Sequence, residues 1–197
     1  MNTTELSAST IEAIQNSTAQ QKLASGNVFF VGLMGAGKST IGRALAKCQH
    51  KHFYDADHEI ERRTGVNIPL IFELEGEEGF RRRETAVIID LCQSKDIIMA
   101  TGGGAVMAPE NKQALKQNGI VIYLRAHVNE LWLRTRNDKN RPLLQTDNPK
   151  EKLEQLLKIR DPHYIEVADY IVETASQPVS HIVSKIEQLL KNHHANT

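Results

Sequence analysis

The sequence predicts an α/β fold in which helices wrap a parallel sheet. From Asn27 onward, short apolar runs alternate with stretches of helical periodicity, as expected for that architecture. A glycine-rich motif also stands between the first apolar run and the first helical stretch, a common arrangement in α/β domains. The chain has 197 residues, enough for one such domain and too few for two of typical size.

The individual elements follow in chain order from the spacing of apolar residues. Short apolar runs predict strands at 28–31, 53–55, 97–100, 120–124 and 170–172. Helical spacing predicts helices at 38–48, 56–63, 68–75, 77–93, 109–117, 128–136, 150–167 and 179–192. Gly65 and Gly76 separate neighbouring helices, and the polar segment 137–148, which contains Pro142, is predicted to be a loop.

The composition argues against several classes of partner. Twenty-four basic and 24 acidic residues give a formal charge of zero, so no net field attracts nucleic acid or an anionic membrane. No apolar run approaches the roughly 18 residues that would span a bilayer. The first 22 residues lack the charged start and the hydrophobic middle of an export signal. We therefore expect a cytoplasmic protein that acts on small molecules. We also expect a monomer, although composition does not determine the oligomeric state.

Two further features bear on domain limits and redox state. Residues 1–26 are rich in Ser, Thr, Gln, Asn and Ala, so we expect a flexible extension there and a single domain at 27–197. Cys48 and Cys92 form no CxxC pair, which fits a reducing compartment, and we expect both in the core.

The most specific motif runs from Gly32 to Ser39 and is a complete GxxxxGK[ST] pattern. Its glycines let backbone N–H groups point into one concavity, and the following helix adds the positive end of its dipole. Lys38 would reach the β- and γ-phosphates of a nucleotide, and the Ser39 hydroxyl would bind Mg²⁺. A glycine-rich turn with an incidental lysine is the alternative, and the flanking strand and helix argue against it.

Two more candidate segments follow predicted strands. Asp55 and Asp57 end the second strand, at the edge of a parallel sheet where ligands bind, although an Asp there can also cap the next helix. The segment 101–105 contains three successive glycines, which bring bare backbone close to a ligand or simply form a turn.

Arginines supply the remaining candidates. Arg81, Arg82 and Arg83 are spread around a helix, so at most one or two can face a site, and a solvated face paired with nearby Glu residues is the alternative. Arg134, Arg141 and Arg160 are further candidates because a guanidinium fits phosphate or carboxylate, although an isolated arginine is usually a surface residue.

The sequence resembles the shikimate kinase family from Val28 to about Leu190. The resemblance rests on GLMGAGKST at 32–40, DAD at 55–57, FRRRE at 80–84, GGGAV at 102–106, RPLL at 141–144 and RDPHY at 160–164. It implies a three-layer P-loop kinase fold with a central five-stranded parallel sheet, a helical substrate-binding segment after strand two and a lid loop around Arg141. It also implies that ATP and Mg²⁺ are used to convert shikimate to shikimate 3-phosphate, in the biosynthesis of aromatic amino acids.

The resemblance assigns roles residue by residue. Nucleotide binding would fall to Gly35, Ala36, Gly37, Lys38, Ser39, Thr40 and, near the adenine, Arg134. Mg²⁺ would be held by Ser39 and, through water, by Asp55. Shikimate would be bound by Asp57, Arg81, Gly103, Gly104 and Arg160. The catalytic residues would be Lys38, Asp57 and Arg141.

Some points stay open at this level. Phe72 and Phe80 match positions that wall the substrate pocket, but core packing is the commoner fate of a phenylalanine. The segment 172–178 departs from the family pattern, which leaves the adenine contacts there undetermined. Two other functions remain as alternatives, a P-loop kinase of another hydroxy acid such as gluconate and a non-catalytic nucleotide-binding protein.

Overall fold

A computed structural model describes residues 22, 24–137, 142–175 and 177–195. Its sheet has five strands, β1 (Val28–Val31), β2 (His52–Asp55), β3 (Ile97–Ala100), β4 (Ile120–Arg125) and β5 (Tyr170–Glu173). Their order is β2-β3-β1-β4-β5, and all neighbours are parallel, with Val28 level with Ile98 on one side and Ile120 on the other. The five predicted strands and the parallel sheet are confirmed.

The helices of the described residues also lie close to their predicted positions. They are α1 (Lys38–Gln49), α2 (Ala56–Thr64), α3 (Ile68–Cys92), α4 (Pro109–Asn118), α5 (Val128–Thr135), α6 (Pro149–Val167) and α7 (Val179–Ala195). Gly76, with φ 69° and ψ −176°, divides α3 into two helical halves, so the predicted break is confirmed. Short 3₁₀ turns cover Ala105–Met107 and Pro142–Leu144.

The core lies around the three central strands. All residues of β1 and β3, and all of β4 but the last, are buried, because helices cover both faces of the sheet. Helix α1 contacts β2, β3 and α7, while α4 and α6 pack against β4. The edge strands β2 and β5 are more exposed.

The carboxyl ends of the strands determine where a site can form. The glycine-rich motif follows β1, the two aspartates end β2 and begin α2, and the triple glycine follows β3. Because parallel strands end at one edge of the sheet, the three segments meet there.

Of the predicted N-terminal extension, the structure describes only residues 22 and 24–26. Residues 1–21 and 23 lie outside the described part of the chain. Lys22 is buried and forms an ion pair of 2.7 Å with Asp169, and Ser25 Oγ donates a hydrogen bond of 2.8 Å to the Asn118 carbonyl. These last residues before β1 therefore pack on the domain.

One cysteine differs from expectation. Cys92 is buried at the end of α3, as predicted, but Cys48 is exposed because it lies on the side of α1 that faces away from the sheet. None of the described helices is long and apolar enough to cross a membrane.

Candidate active site

The loop between β1 and α1 forms a cradle of backbone. Gly32, Gly35 and Gly37 have φ of 139°, 82° and 97°, a region that favours glycine. A side chain at Gly35 would also collide with α5, since its Cβ would lie 2.8 Å from Thr135 Cγ2. Gly37 supplies no side-chain cap to α1, so the first N–H groups of that helix remain available to an anion.

A cleft of about 400 Å³ opens over this cradle. Its lining contains six of the seven residues predicted to bind nucleotide, namely Gly35, Gly37, Lys38, Ser39, Thr40 and Arg134. The seventh, Ala36, is a loop residue that is 1% exposed, so only its backbone is suited to the predicted role. The Lys38 side chain lies across the loop, where Nζ donates to the carbonyls of Gly32 (2.7 Å) and Leu33 (3.1 Å).

Arg134 connects this cleft to the segment after β5. Its Nη1 donates to the Gly35 carbonyl at 3.2 Å and its Nη2 to the Thr174 carbonyl at 2.9 Å. Thr174 is buried and in turn donates its backbone N–H to the Arg125 carbonyl. Arg134 thus joins the cradle to segment 172–178, for which the sequence does not determine any contacts with adenine.

Asp55 makes two hydrogen-bonded contacts at the start of α2, one of them with Ser39 of the cradle. Its Oδ1 accepts a hydrogen bond from the Asp57 backbone N–H and caps α2, while its Oδ2 accepts one of 2.5 Å from the Ser39 hydroxyl. The alternative interpretation of this aspartate as a helix cap is therefore confirmed, while its predicted role beside a metal stays a prediction. Ser39 and Asp55 present oxygen donors side by side, the ligand type that Mg²⁺ prefers.

A second cavity, of about 100 Å³, adjoins the first, and Met34 lines both. Its walls come from the glycine-rich loop, α2, both halves of α3, the triple glycine, the turn at 142–144 and α6. They are formed by Met34, Asp57, Phe72, Phe80, Arg81, Glu84, Gly102, Gly103, Gly104, Leu143 and Arg160. All five residues predicted to bind the acceptor belong to this set.

Arg81 enters the cavity from the second half of α3. Its Nη1 donates to Glu84 Oε2 at 2.6 Å, and its Nη2 donates to Glu77 Oε1 at 3.0 Å. The guanidinium lies against Gly104, where an added Cβ would come within 2.6 Å of Cζ and both terminal nitrogens. Arg82 and Arg83 instead pair with Glu78 and Glu75 on the exposed side of the helix, so one of the three arginines faces the site.

Glu84 is a carboxylate buried inside the site. It is fully buried, and its Oε1 has no hydrogen-bond partner among the described residues. Oε1 and Asp57 Oδ1 lie 2.3 Å and 3.0 Å from the point that a Cβ on Gly102 would occupy, so the two carboxylates are close neighbours. Burial raises the pKa of Glu84, the charge of Arg81 opposes this, and Asp57 adds to it, with a net rise.

Arg160 reaches the cavity from α6. It is 6% exposed, and its Nη1 is buried with no hydrogen-bond partner in the described part of the chain. A Cβ on Gly103 would lie 3.7 Å from this nitrogen, so Arg160 is next to the triple glycine. A buried guanidinium N–H beside the cavity is suited to a charge-assisted hydrogen bond with an anionic partner.

The structure locates Phe72 and Phe80 at the cavity, but it does not describe Arg141 in the predicted lid. Phe72 and Phe80 both line the cavity, with ring centroids 4.8 Å apart, and Phe80 is also part of the core. Arg141 and residues 138–140 lie outside the described residues, so the structure does not test the role assigned to Arg141. The described part of that loop contributes Leu143 to the cavity wall.

Sequence reasoning missed several residues of this site. Glu84 was considered only as a partner of surface arginines, although its position three residues after Arg81 was a signal that the two share a helix face. Met34 and Leu143 lie within the quoted motifs but carry no chemistry that would single them out. Tyr164, whose hydroxyl donates a short hydrogen bond to the Gly103 carbonyl, belongs to the RDPHY segment, but no local pattern assigns it a role.

Comparisons with known proteins agree on one family. The family sequence model described as shikimate kinase matches residues 34–191. A shikimate kinase from Burkholderia lata is 61% identical over 160 residues, which cover 81% of this chain and 87% of that protein. The solved structure of a shikimate kinase from Acinetobacter baumannii in complex with shikimate is 51% identical, with a TM-score of 0.84, and the match covers 89% of this chain and 97% of that one.

The fold is also shared with a gluconokinase, an enzyme of the class that was kept as an alternative. The enzyme from Sinorhizobium meliloti has a TM-score of 0.54 at 16% identity, with 88% of this chain and 98% of that one covered. At that identity the likeness shows the fold alone.

Proposed function

Because the chain belongs to the shikimate kinase family, we propose that it transfers the γ-phosphoryl group of ATP to shikimate and forms shikimate 3-phosphate. The predicted family, P-loop kinase fold and kinase activity are confirmed by these relatives. The single observation that best supports the reaction is the pair of adjoining cavities, one over a phosphate-binding loop and one lined by two arginines, with Met34 between them.

The nucleotide side follows from the cradle. Backbone N–H groups of the loop and of the first turn of α1 would bind the β- and γ-phosphates, and Lys38 would exchange its bonds to loop carbonyls for phosphate oxygens. Arg134 would lie beside the adenine, since it already bridges Gly35 and Thr174.

The donor set beside the cradle fits Mg²⁺. Ser39 Oγ and Asp55 Oδ2 are adjacent oxygens, and no group of three or more His, Cys, Asp or Glu able to hold a metal occurs among the described residues. Mg²⁺ commonly takes one or two protein ligands and completes its shell with phosphates and water. Ser39 and, through water, Asp55 would hold it, and it would neutralise charge on the β- and γ-phosphate oxygens.

The acceptor side suits a hydroxylated carboxylate. Arg81 and Arg160 would bind the carboxylate, and each guanidinium can make two parallel, charge-assisted hydrogen bonds to it. Glu84 would hold Arg81 in place, because one edge of that guanidinium is already fixed at 2.6 Å. Asp57 would bind the shikimate hydroxyls, and the backbone of Gly103 and Gly104 would complete the contacts.

Transfer itself would depend on orientation and charge. Asp57 would orient the reacting hydroxyl, and would accept its proton if the proton leaves during transfer. Arg141 keeps the role that the family resemblance implies, stabilising charge on the transferring phosphoryl group. Replacing Arg141 with Ala should then lower kcat by about 10³-fold or more, with little change in the KM for shikimate.

An ATP-to-ADP coupled assay tests the function directly. Shikimate should support ADP formation, whereas gluconate and buffer alone should not. ADP release with gluconate and none with shikimate would favour the other hydroxy-acid kinase, and nucleotide binding without any turnover would favour a non-catalytic protein.

The carboxylate assignment has its own test. Arg160→Lys keeps the charge but loses the fork, so it should raise the KM for shikimate by about tenfold or more and leave that for ATP little changed. The penalty for replacing the shikimate carboxylate by an uncharged amide should shrink in this variant. The matched control is Arg82→Lys, an exposed arginine outside the cavity, which should behave as wild type. Undiminished discrimination between acid and amide in Arg160→Lys would mean that the carboxylate is bound elsewhere.

The remaining expectations concern the whole molecule. We also propose that the enzyme works as a monomer in the cytoplasm, where ATP and biosynthetic intermediates are available to it, without nucleic-acid or membrane partners. Light scattering at assay concentration would test the monomer, and cell fractionation would test the location.

A further inference from the structure

The hydroxyl of Tyr164 is placed between two parts of the acceptor cavity without lining it. Tyr164 lies on α6, one turn after Arg160, and its side chain is fully buried. Its hydroxyl donates a short hydrogen bond to the carbonyl oxygen of Gly103, in the triple-glycine segment that follows β3. The Tyr164 side chain thus connects α6 to the loop that follows β3.

The bond to Gly103 determines the direction of the next amide. A peptide unit is planar, so a fixed Gly103 carbonyl also fixes the Gly104 N–H, which points the opposite way, away from Tyr164. Glycine has no side chain to restrict this loop, so the hydroxyl supplies a restraint that the backbone lacks. In the described part of the chain, the N–H groups of Gly103 and Gly104 donate to no protein acceptor, which leaves them available to a ligand.

The same hydroxyl is next to Arg160. Burial raises the pKa of the Tyr164 phenol, and the charge of the nearby Arg160 guanidinium opposes this, with burial the larger effect. The phenol therefore remains protonated at neutral pH and can donate to Gly103. Four residues apart on a helix, Arg160 and Tyr164 project from the same face.

We propose that Tyr164 is a positioning residue of the acceptor site, whose hydroxyl orients the Gly103–Gly104 peptide and supports Arg160 so that both meet the shikimate carboxylate together. The proposal rests on the proposed function, since it assumes that shikimate occupies the cavity. A purely structural tyrosine would contribute to folding stability and leave substrate affinity unchanged, and this difference can be measured.

The chain provides a matched control in Tyr123 on β4. Its ring packs against that of Tyr164 with centroids 4.9 Å apart, and it is 1% exposed. Its hydroxyl donates at 2.7 Å to Asp161 Oδ1, a partner that also accepts a hydrogen bond from Arg125 and so stays anchored if Tyr123 loses its hydroxyl. Tyr123→Phe and Tyr164→Phe therefore remove the same atom from one aromatic pair, but only the second releases Gly103.

The experiment compares the two variants in the coupled assay and in urea unfolding. Losing one orienting hydrogen bond should raise the KM for shikimate in Tyr164→Phe by about three- to tenfold, with the KM for ATP changed by less than about twofold. Tyr123→Phe should lower stability to a similar extent and change both KM values by less than about twofold. An equal rise of the shikimate KM in both variants, or no rise in Tyr164→Phe, would overturn the proposal.

A second replacement covers the case in which Tyr164→Phe does not fold. Site-specific 4-fluorophenylalanine at position 164 fills the space of the hydroxyl but donates no hydrogen bond, and it should give the same selective rise in the KM for shikimate. An unchanged KM in that protein would also overturn the proposal. The wild-type assay separates the two hypotheses: no turnover of shikimate would refute the proposed function and this inference together, whereas normal wild-type turnover with unaltered variants would refute this inference alone.

Discussion

Adding a single methyl group at Gly104 should displace Arg81 and weaken acceptor binding. A Cβ at this position would lie 2.4 Å from Nη2 of Arg81 and 2.6 Å from Cζ and Nη1. Ordinary contact begins at 3.4 Å, so the guanidinium must retreat by about 1 Å. The backbone at Gly104 has φ −100° and ψ −2°, which alanine adopts without strain, so the effect of Gly104→Ala should come from the collision alone.

The size of the effect follows from the hydrogen bonds at stake. Charge-assisted bonds to a carboxylate need about 2.7–2.9 Å between heavy atoms, and a displacement of about 1 Å breaks at least one of them. Each such bond contributes about 1.5–3 kcal/mol, which corresponds to a rise of about tenfold to 150-fold in the KM for shikimate. The KM for ATP should change by less than about twofold, because Arg81 does not line the nucleotide cleft.

A double-mutant cycle shows whether the methyl group acts through Arg81. Steady-state kinetics at saturating ATP would be measured for Gly104→Ala, Arg81→Ala and the double variant, with urea unfolding to check that all three fold. Once Arg81 is removed, the methyl group has nothing to displace, so the double variant should match Arg81→Ala within about twofold. If Gly104→Ala raised the KM by the same factor in both backgrounds, the collision with Arg81 would not be the cause.

Three further predictions concern other parts of the protein. Lys38→Ala should remove measurable transfer while circular dichroism remains native, since the proposed partner of this lysine is phosphate; full activity would contradict a role of the loop in the reaction. Asp57→Asn should lower kcat by about 10²- to 10⁴-fold with ATP binding nearly intact, and a collapse of ATP affinity would instead assign Asp57 to the metal side. Hydrogen bonds from Arg62 and Arg63, and the charge of Arg63, lower the pKa of Glu59 to about 2 although burial alone would raise it. The contribution of Glu59 to stability is therefore present above the unfolded pKa of 4.5 and is lost as the pH falls towards 2. Urea unfolding should therefore show Glu59→Gln less stable than wild type at pH 6 but not at pH 2, and a pH-independent difference would contradict this assignment.

Local patterns predicted the elements because each carries its own signal. The central strands β1, β3 and β4 are short apolar runs in the sequence, and their bounds were predicted to within one residue. The break at Gly76 was predictable because that conformation, with φ 69°, is accessible to glycine. The segments that converge on the site were predictable from their places directly after strands.

The parts that could not be predicted depend on how a helix is rotated against the sheet. Arg81, Arg82 and Arg83 are equivalent as a sequence, and only the packing of α3 turns Arg81 and Glu84 inward. The exposure of Cys48 has the same origin, since it depends on which side of α1 meets the core. The contact between Tyr164 and Gly103 joins residues 61 positions apart, a distance that no local pattern spans.

The double use of Asp55 leaves evolution little freedom at this position. One oxygen caps α2 and the other accepts the hydrogen bond from Ser39, so a replacement must satisfy two selective demands at once. Asparagine would preserve the cap but remove the charge, and glutamate would keep the charge but is not among the preferred capping residues. Neither replacement therefore keeps both the cap and the charge, so a change to either residue at position 55 gives up at least one of these two contacts.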